Sequence, residues 1–269
     1  MIVRPIYAVL EREVVKMFRQ RTRLVSAMVR PLIWLFVIGA GFGTVLGRAS
    51  GLDYQQFLAP GVLGMTVLFG AMLAALTMVY DKESGVMRML IIAPFAHYWI
   101  IVAKTLSAAL AGIVQAVLLL VILAVLGFLS FKMSFALLAL GILMAALSCA
   151  GIGILVAAFT RTLDNFAAIM NFVIFPVFFL SGALYPIDNL PAALKIAAML
   201  NPFTYAVDLL KHAMLAPLMA SATSELSVSA DLAATAGFTV LAVVLASWRF
   251  SREQAYEPLI HVLTGKRGG

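Results

Sequence analysis

Charge, cysteine and histidine are all scarce in this sequence. Only 12% of its 269 residues are Asp, Glu, Lys or Arg, about half the share found in an ordinary soluble domain. Hydrophobic residues make up 64% and the mean hydropathy is +1.06, so the chain reads as an integral membrane protein rather than a soluble one. The lone cysteine, Cys149, excludes an internal disulfide. Without a Cys/His cluster at ligand spacing, no structural zinc or iron–sulfur site is expected. No Gly-x-x-x-x-Gly-Lys-[Ser/Thr] run occurs, so no phosphate-cradling loop and no nucleotide hydrolysis by the chain alone are expected. The three histidines, His97, His212 and His261, lie outside the long apolar runs. With no His-Glu-x-x-His helix either, intramembrane metalloprotease and Ser–His chemistry lack their groups.

The few charges act as punctuation, because a charge at the bilayer centre costs about 2.5–3.5 kcal/mol on insertion scales. Six uncharged runs between them are long enough to cross, or nearly so: 31–47, 54–80, 105–131, 133–160, 165–187 and 232–248. The spans are placed at about 24–47, 57–80, 105–129, 133–159, 165–185 and 232–250, with Arg30 and Arg249 snorkelling to the interfaces. The expected class is an all-α integral membrane protein of six helices. An amphipathic segment (1–23) precedes them, short outer or re-entrant helices (186–207) separate spans five and six, and a cytoplasmic tail (251–269) follows. With the N-terminus inside, 15 Lys and Arg fall on the cytoplasmic side and 4 outside. The positive-inside rule therefore places both termini in the cytoplasm. No cleavable leader is expected, because the first long apolar run starts only near Leu24. The excess of 19 basic over 12 acidic residues belongs to loops facing anionic lipid rather than to nucleic acid.

Within this frame several segments stand out. Ile6, Leu10, Val14 and Met17 share one helical face and Arg12, Lys16, Arg19 and Arg23 another, which suits an interfacial helix. Gly39, Gly43 and Gly47 repeat at intervals of four and offer a close-packing stripe. The cytoplasmic segment 81–100 mixes both charge signs with Met, Leu and Phe. It reads either as a docking surface for a soluble partner or as an interfacial loop. No span carries an ionisable group away from its ends, which weighs against a proton- or sodium-driven carrier. Gln115 and Asn171 are the strongly polar residues inside. A translocation path is placed along spans two and five, with Phe69, Asn171, Phe172, Phe175 and Phe179 as lining candidates. Asn171 needs a polar partner or a wet cavity, and the phenylalanines form one helical stripe. Pro176 is expected to loosen that span in its middle.

Taken in order, these blocks resemble the permease subunits of type-2 ABC transporters, the group with drug, nodulation-factor and polysaccharide exporters. The resemblance is carried by the basic amphipathic N-terminus, Phe57-Leu58-Ala59-Pro60-Gly61, and Glu83-Ser84-Gly85-Val86-Met87-Arg88-Met89-Leu90 with Ala93-Pro94. Phe179-Leu180-Ser181-Gly182-Ala183-Leu184-Tyr185-Pro186 and Leu200-Asn201-Pro202-Phe203-Thr204-Tyr205 extend it. It implies that Glu83, Gly85, Arg88, Leu90, Pro94 and Phe95 belong to a coupling helix touching an ATPase; Val86 stands where that family often has threonine. It further implies two ATPase subunits, with ATP and Mg on them and no cofactor on this chain, and a second permease copy. The setting would be the bacterial inner membrane. An ion-coupled secondary transporter and a non-transporting membrane scaffold are the competing readings.

Overall fold

The computed structural model describes residues 10–12, 15, 19, 21–41, 54–87, 98–129, 133–215 and 226–263. Among these residues every regular element is helical. In chain order they are α1 (Arg21–Ile33), α2 (Tyr54–Glu83), α3 (Tyr98–Val125), α4 (Phe135–Phe159), α5 (Leu163–Phe179), α6 (Ala192–Leu200), α7 (Pro202–Met214) and α8 (Val228–Leu263). A π-helical turn, Trp34–Ile38, continues α1 just after Pro31. Proline supplies no backbone N–H, so a shift in hydrogen-bond register there has an evident cause.

Four helices are long and apolar enough to cross a bilayer: α2, α3, α4 and Val228–Arg252 of α8. Two shorter apolar helices, Ala27–Gly41 and Leu163–Phe179, occupy the positions of the expected first and fifth spans. The fifth ends sooner than its apolar run suggests. Leu180 and Ser181 turn back onto Pro176 and Phe178 carbonyls, and Gly182 follows with φ +74°. Pro176 therefore sits in the last turn of α5 rather than loosening its middle.

α2 is the hub. Its residues 57–72 are all buried, as expected for a helix apolar on every side and surrounded by others. It packs against α1, α3, α4, α5 and α7. Small residues permit the closest approaches. An added Cβ at Gly70 would meet Gln115 at 2.9 Å, and one at Gly153 would meet Ala75 at 2.8 Å. Gly39 also packs within the chain, 3.1 Å from Gln55 by the same measure, whereas Gly43 and Gly47 lie outside the described residues.

Between α5 and α8, α7 is buried over most of its length and packs beside α2 and α4. Phe203 and Val207 pack on Gly64, and Leu209 and Leu210 on Gly141. Its start is secured by the Asn201 side chain, which accepts from Phe203 N at 3.1 Å and donates to Val177 O at 2.7 Å. That N-cap followed by Pro202 at the first helical position is a strong helix start.

Candidate coupling site and translocation path

At one end of the bundle, three consecutive residues of α2 each engage different parts of the fold. Asp81 is 3% exposed and its Oδ2 accepts from Lys104 Nζ on α3 at 2.5 Å and from Arg12 Nη2 at 2.8 Å. Lys82 Nζ donates to the carbonyls of Ala157 (3.0 Å), Ala158 (3.1 Å) and Thr160 (3.4 Å) at the C-terminus of α4. Glu83 Oε2 accepts from Leu163 N at 3.1 Å, at the N-terminus of α5. The two helix-end contacts follow the dipole: a cation meets unpaired carbonyls and an anion meets unpaired N–H groups. Asp81 is a buried charge held by two cations, the condition under which burial of a carboxylate is tolerated.

α2 ends directly after this triplet. Gly85 follows with φ +76°, and a Cβ there would touch nothing within 4 Å, so its backbone conformation rather than crowding calls for glycine. Glu83 is exposed although one oxygen is occupied by Leu163. Arg88, Leu90, Pro94 and Phe95 lie outside the described residues. Beneath the triplet a separate apolar cluster gathers Met78, Val79, Ile100, Ile154, Phe166 and Phe250 from five helices.

The path candidates divide into two groups. Phe69 is 7% exposed and lies midway along α2, where the Arg30 guanidinium stacks over its ring at 4.1 Å. Both line an open cavity of about 430 Å³ together with Ala27, Trp34 and Leu73. Arg30 is itself exposed, and its planar cation lies against that aromatic face. The second group is on α5. Asn171 is exposed, Phe172 is 79% exposed, and Phe175 and Phe179 are 48% and 38% exposed. Phe175 and Phe179 stack with centroids 6.3 Å apart. Trp34 joins the two groups, meeting Phe178 edge-on at 5.5 Å and Phe179 at 5.9 Å. Sequence reasoning missed Arg30 and Trp34 as site residues, although their i, i+4 spacing places them on one helix face.

The quoted sequence blocks also meet in space at the Tyr54 end. An added Cβ at Gly61 would lie 2.4 Å from Ala183 O, so the Phe57–Gly61 block fits directly against the Phe179–Pro186 block. Tyr54 donates to Leu184 O at 3.1 Å, and Thr204 of the third block donates to Leu180 O of the second at 3.5 Å. Residues far apart in sequence thus share one packed end. The sequence profile of the ABC-2 type transporters matches residues 4–215 of this chain. The chain belongs to the ABC-2 type transporter family. Among its relatives, Nodulation protein J of Rhizobium leguminosarum bv. trifolii is 29% identical over 202 residues, covering 71% of this chain and 74% of that one. The putative transport permease ycf38 of Cyanophora paradoxa is 28% identical over 214 residues, covering 77% and 72%. The probable multidrug ABC transporter permease YbhR of Escherichia coli K12 is 27% identical over 163 residues, covering 60% and 44%. As an ABC-2 protein with several apolar helices, the chain is a multi-pass membrane permease, and the family implies an ABC ATPase partner.

Proposed function

We propose that the chain is the membrane-spanning permease half of an ATP-driven exporter, working with two copies of a separate ABC ATPase and a second permease copy. The observation that carries this reading is the Asp81-Lys82-Glu83 triplet. It ties the start of the expected coupling segment to Arg12, α3, α4 and α5 at once. Force applied by ATPase closure to residues 83–95 enters the base of α2 and passes through these polar contacts to three neighbouring helices. The ends of helices move together because each contact joins a charge to the backbone or to an opposite charge.

In this reading the bundle has six spans, the Glu83 end is cytoplasmic and both termini are on that side, in the bacterial inner membrane. Cargo passes along the Arg30–Phe69 cavity and the exposed face of α5, where Asn171 and the phenylalanine stripe meet the second permease. An exposed Asn in hydrocarbon needs a partner, and a facing subunit or a wet path supplies one. ATP and Mg reside on the ATPase, and nucleic acid plays no part. Arg30 does not restore the ion-coupled reading, because a guanidinium offers donors only and no acceptor for sodium.

The test is transport in proteoliposomes holding the full permease with its ATPase. Uptake should follow ATP and persist when ion gradients are collapsed, and the permease alone should neither bind nor hydrolyse ATP. Transport driven by an ion gradient without the ATPase would overturn the proposal.

A further inference from the structure

At the Tyr54 end, Asp208 and His212 stand one helical turn apart on α7 and face Asp231 in the first turn of α8. The donor atoms of all three lie within 4.8 Å of one another. His212 Nε2 is 3.8 Å from Asp208 Oδ2 and 3.7 Å from Asp231 Oδ2. Around a tetrahedral ion with ligands at about 2.0 Å, donors stand about 3.3 Å apart, so the two His212 separations need to shorten by about half an ångström and the carboxylate pair, within 4.8 Å, by up to about 1.5 Å.

The second observation concerns Asp231 alone. It is 0% exposed, and neither carboxylate oxygen has a hydrogen-bond partner among the described residues. A buried carboxylate without donors is among the most costly arrangements in a protein interior. The adjacent cation does not answer it: Lys211 Nζ is directed to the Phe57 ring, 5.3 Å from its centroid. Asp208 is held in place, since its Oδ2 accepts from Leu226 N at 2.9 Å. The Leu226 carbonyl meets His212 Nε2 at 2.8 Å. The same backbone unit therefore meets two of the three side chains.

We propose that Asp208, His212 and Asp231 form a binding site for a divalent first-row metal ion, with Zn²⁺ as its best match, that bridges α7 to α8. One imidazole and two carboxylates suit such an ion, and their two negative charges balance it. His212 ligates through Nε2 once its proton resides on Nδ1. The Leu226 carbonyl, released from that proton, stands beside the same nitrogen as a fourth oxygen donor. The ion supplies Asp231 with the close partner that the described residues do not provide. It also fixes the re-entrant helix to the last long helix, independently of which energy source drives transport.

The full chain, purified through a tag without histidine, stripped with EDTA and placed in lipid nanodiscs, is titrated with Zn²⁺ against a chromophoric indicator. Co²⁺ absorption reports the ligand field in parallel. The expected result is one Zn²⁺ per chain, a rise in thermal midpoint on binding, and about tenfold or greater loss of affinity in Asp231→Asn and in His212→Gln. Either variant decides the question if the other fails to fold. The proposal is overturned if the wild type shows no saturable binding, or if a folded variant binds as well as wild type.

Discussion

Glu83 Oε2 and the backbone nitrogen of Leu163, 80 positions apart in the chain, are joined by a 3.1 Å hydrogen bond. The last residue of α2 thereby holds the first residue of α5, the helix whose exposed face carries Asn171, Phe175 and Phe179. A residue expected to touch the ATPase is also the contact through which α2 reaches the proposed path. Removing it should affect coupling more than folding. Glu83→Ala should lower transport per ATP hydrolysed while costing only about 1 kcal/mol of stability, the scale of one hydrogen bond. Glu83→Gln keeps an oxygen acceptor and should retain more coupling. Equal coupling ratios for wild type and Glu83→Ala, measured in proteoliposomes, would remove Glu83 from the transmission route.

Asp81 should behave differently, because it is buried with Lys104 while Arg12 covers it from the side. Asp81→Ala leaves the Lys104 ammonium buried without its carboxylate, and breaking a buried pair in this way costs about 3–5 kcal/mol. Asp81→Ala combined with Lys104→Met should recover much of that loss, since no charge is then stranded. Denaturation of the purified chain in detergent provides the comparison, and a double variant no better than the single would argue that the pair is not the source of stability.

Gly61 offers a packing test at the opposite end. A Cβ there would sit 2.4 Å from Ala183 O and 2.9 Å from Ala183 Cβ, too close for any side chain without backbone movement. Gly61→Ala should therefore destabilise the chain by about 1–3 kcal/mol or more and shift the α5–α6 connection away from α2. Thermal unfolding measures the first effect, and increased protease or thiol access at residues 183–186 the second. A variant with wild-type stability and access would show that this contact yields readily.

The stripe on α5 calls for cysteine chemistry, which the buried single Cys149 permits after Cys149→Ser. Phe175→Cys and Phe179→Cys should form cross-links between two permease copies or react with aqueous thiol reagents, at rates that change with nucleotide on the ATPase. Phe178→Cys is the internal comparison, because Phe178 is 1% exposed and packs on Trp34. Reactivity at 175 and 179 no greater than at 178, under every nucleotide condition, would move the path elsewhere.

Much of this molecule was legible in its amino acids, and the legible parts share a character. Long apolar runs announce helices in a bilayer because transfer free energies add residue by residue along a segment, with no reference to neighbours. The all-α class and the presence of the long apolar helices α2, α3, α4 and α8 follow from such local terms. The family blocks were equally local, each a short run of residues.

Only the tertiary structure decided where the rare polar groups go, because a buried charge answers to whichever partner lies within about 4 Å, and that distance is set by helix packing. Nothing local to Asp81 selects Lys104 and Arg12, which lie 23 and 69 residues away in sequence. Arg30 meets the Phe69 ring only because α1 packs on α2. Asp208 and His212 declare a shared helix face by their spacing, but Asp231 joins them only because α8 starts beside α7. The amino-acid sequence by itself determined which segments leave water. The packing of those segments determined which few charges could follow them, since each needed a partner that only the assembled bundle provides.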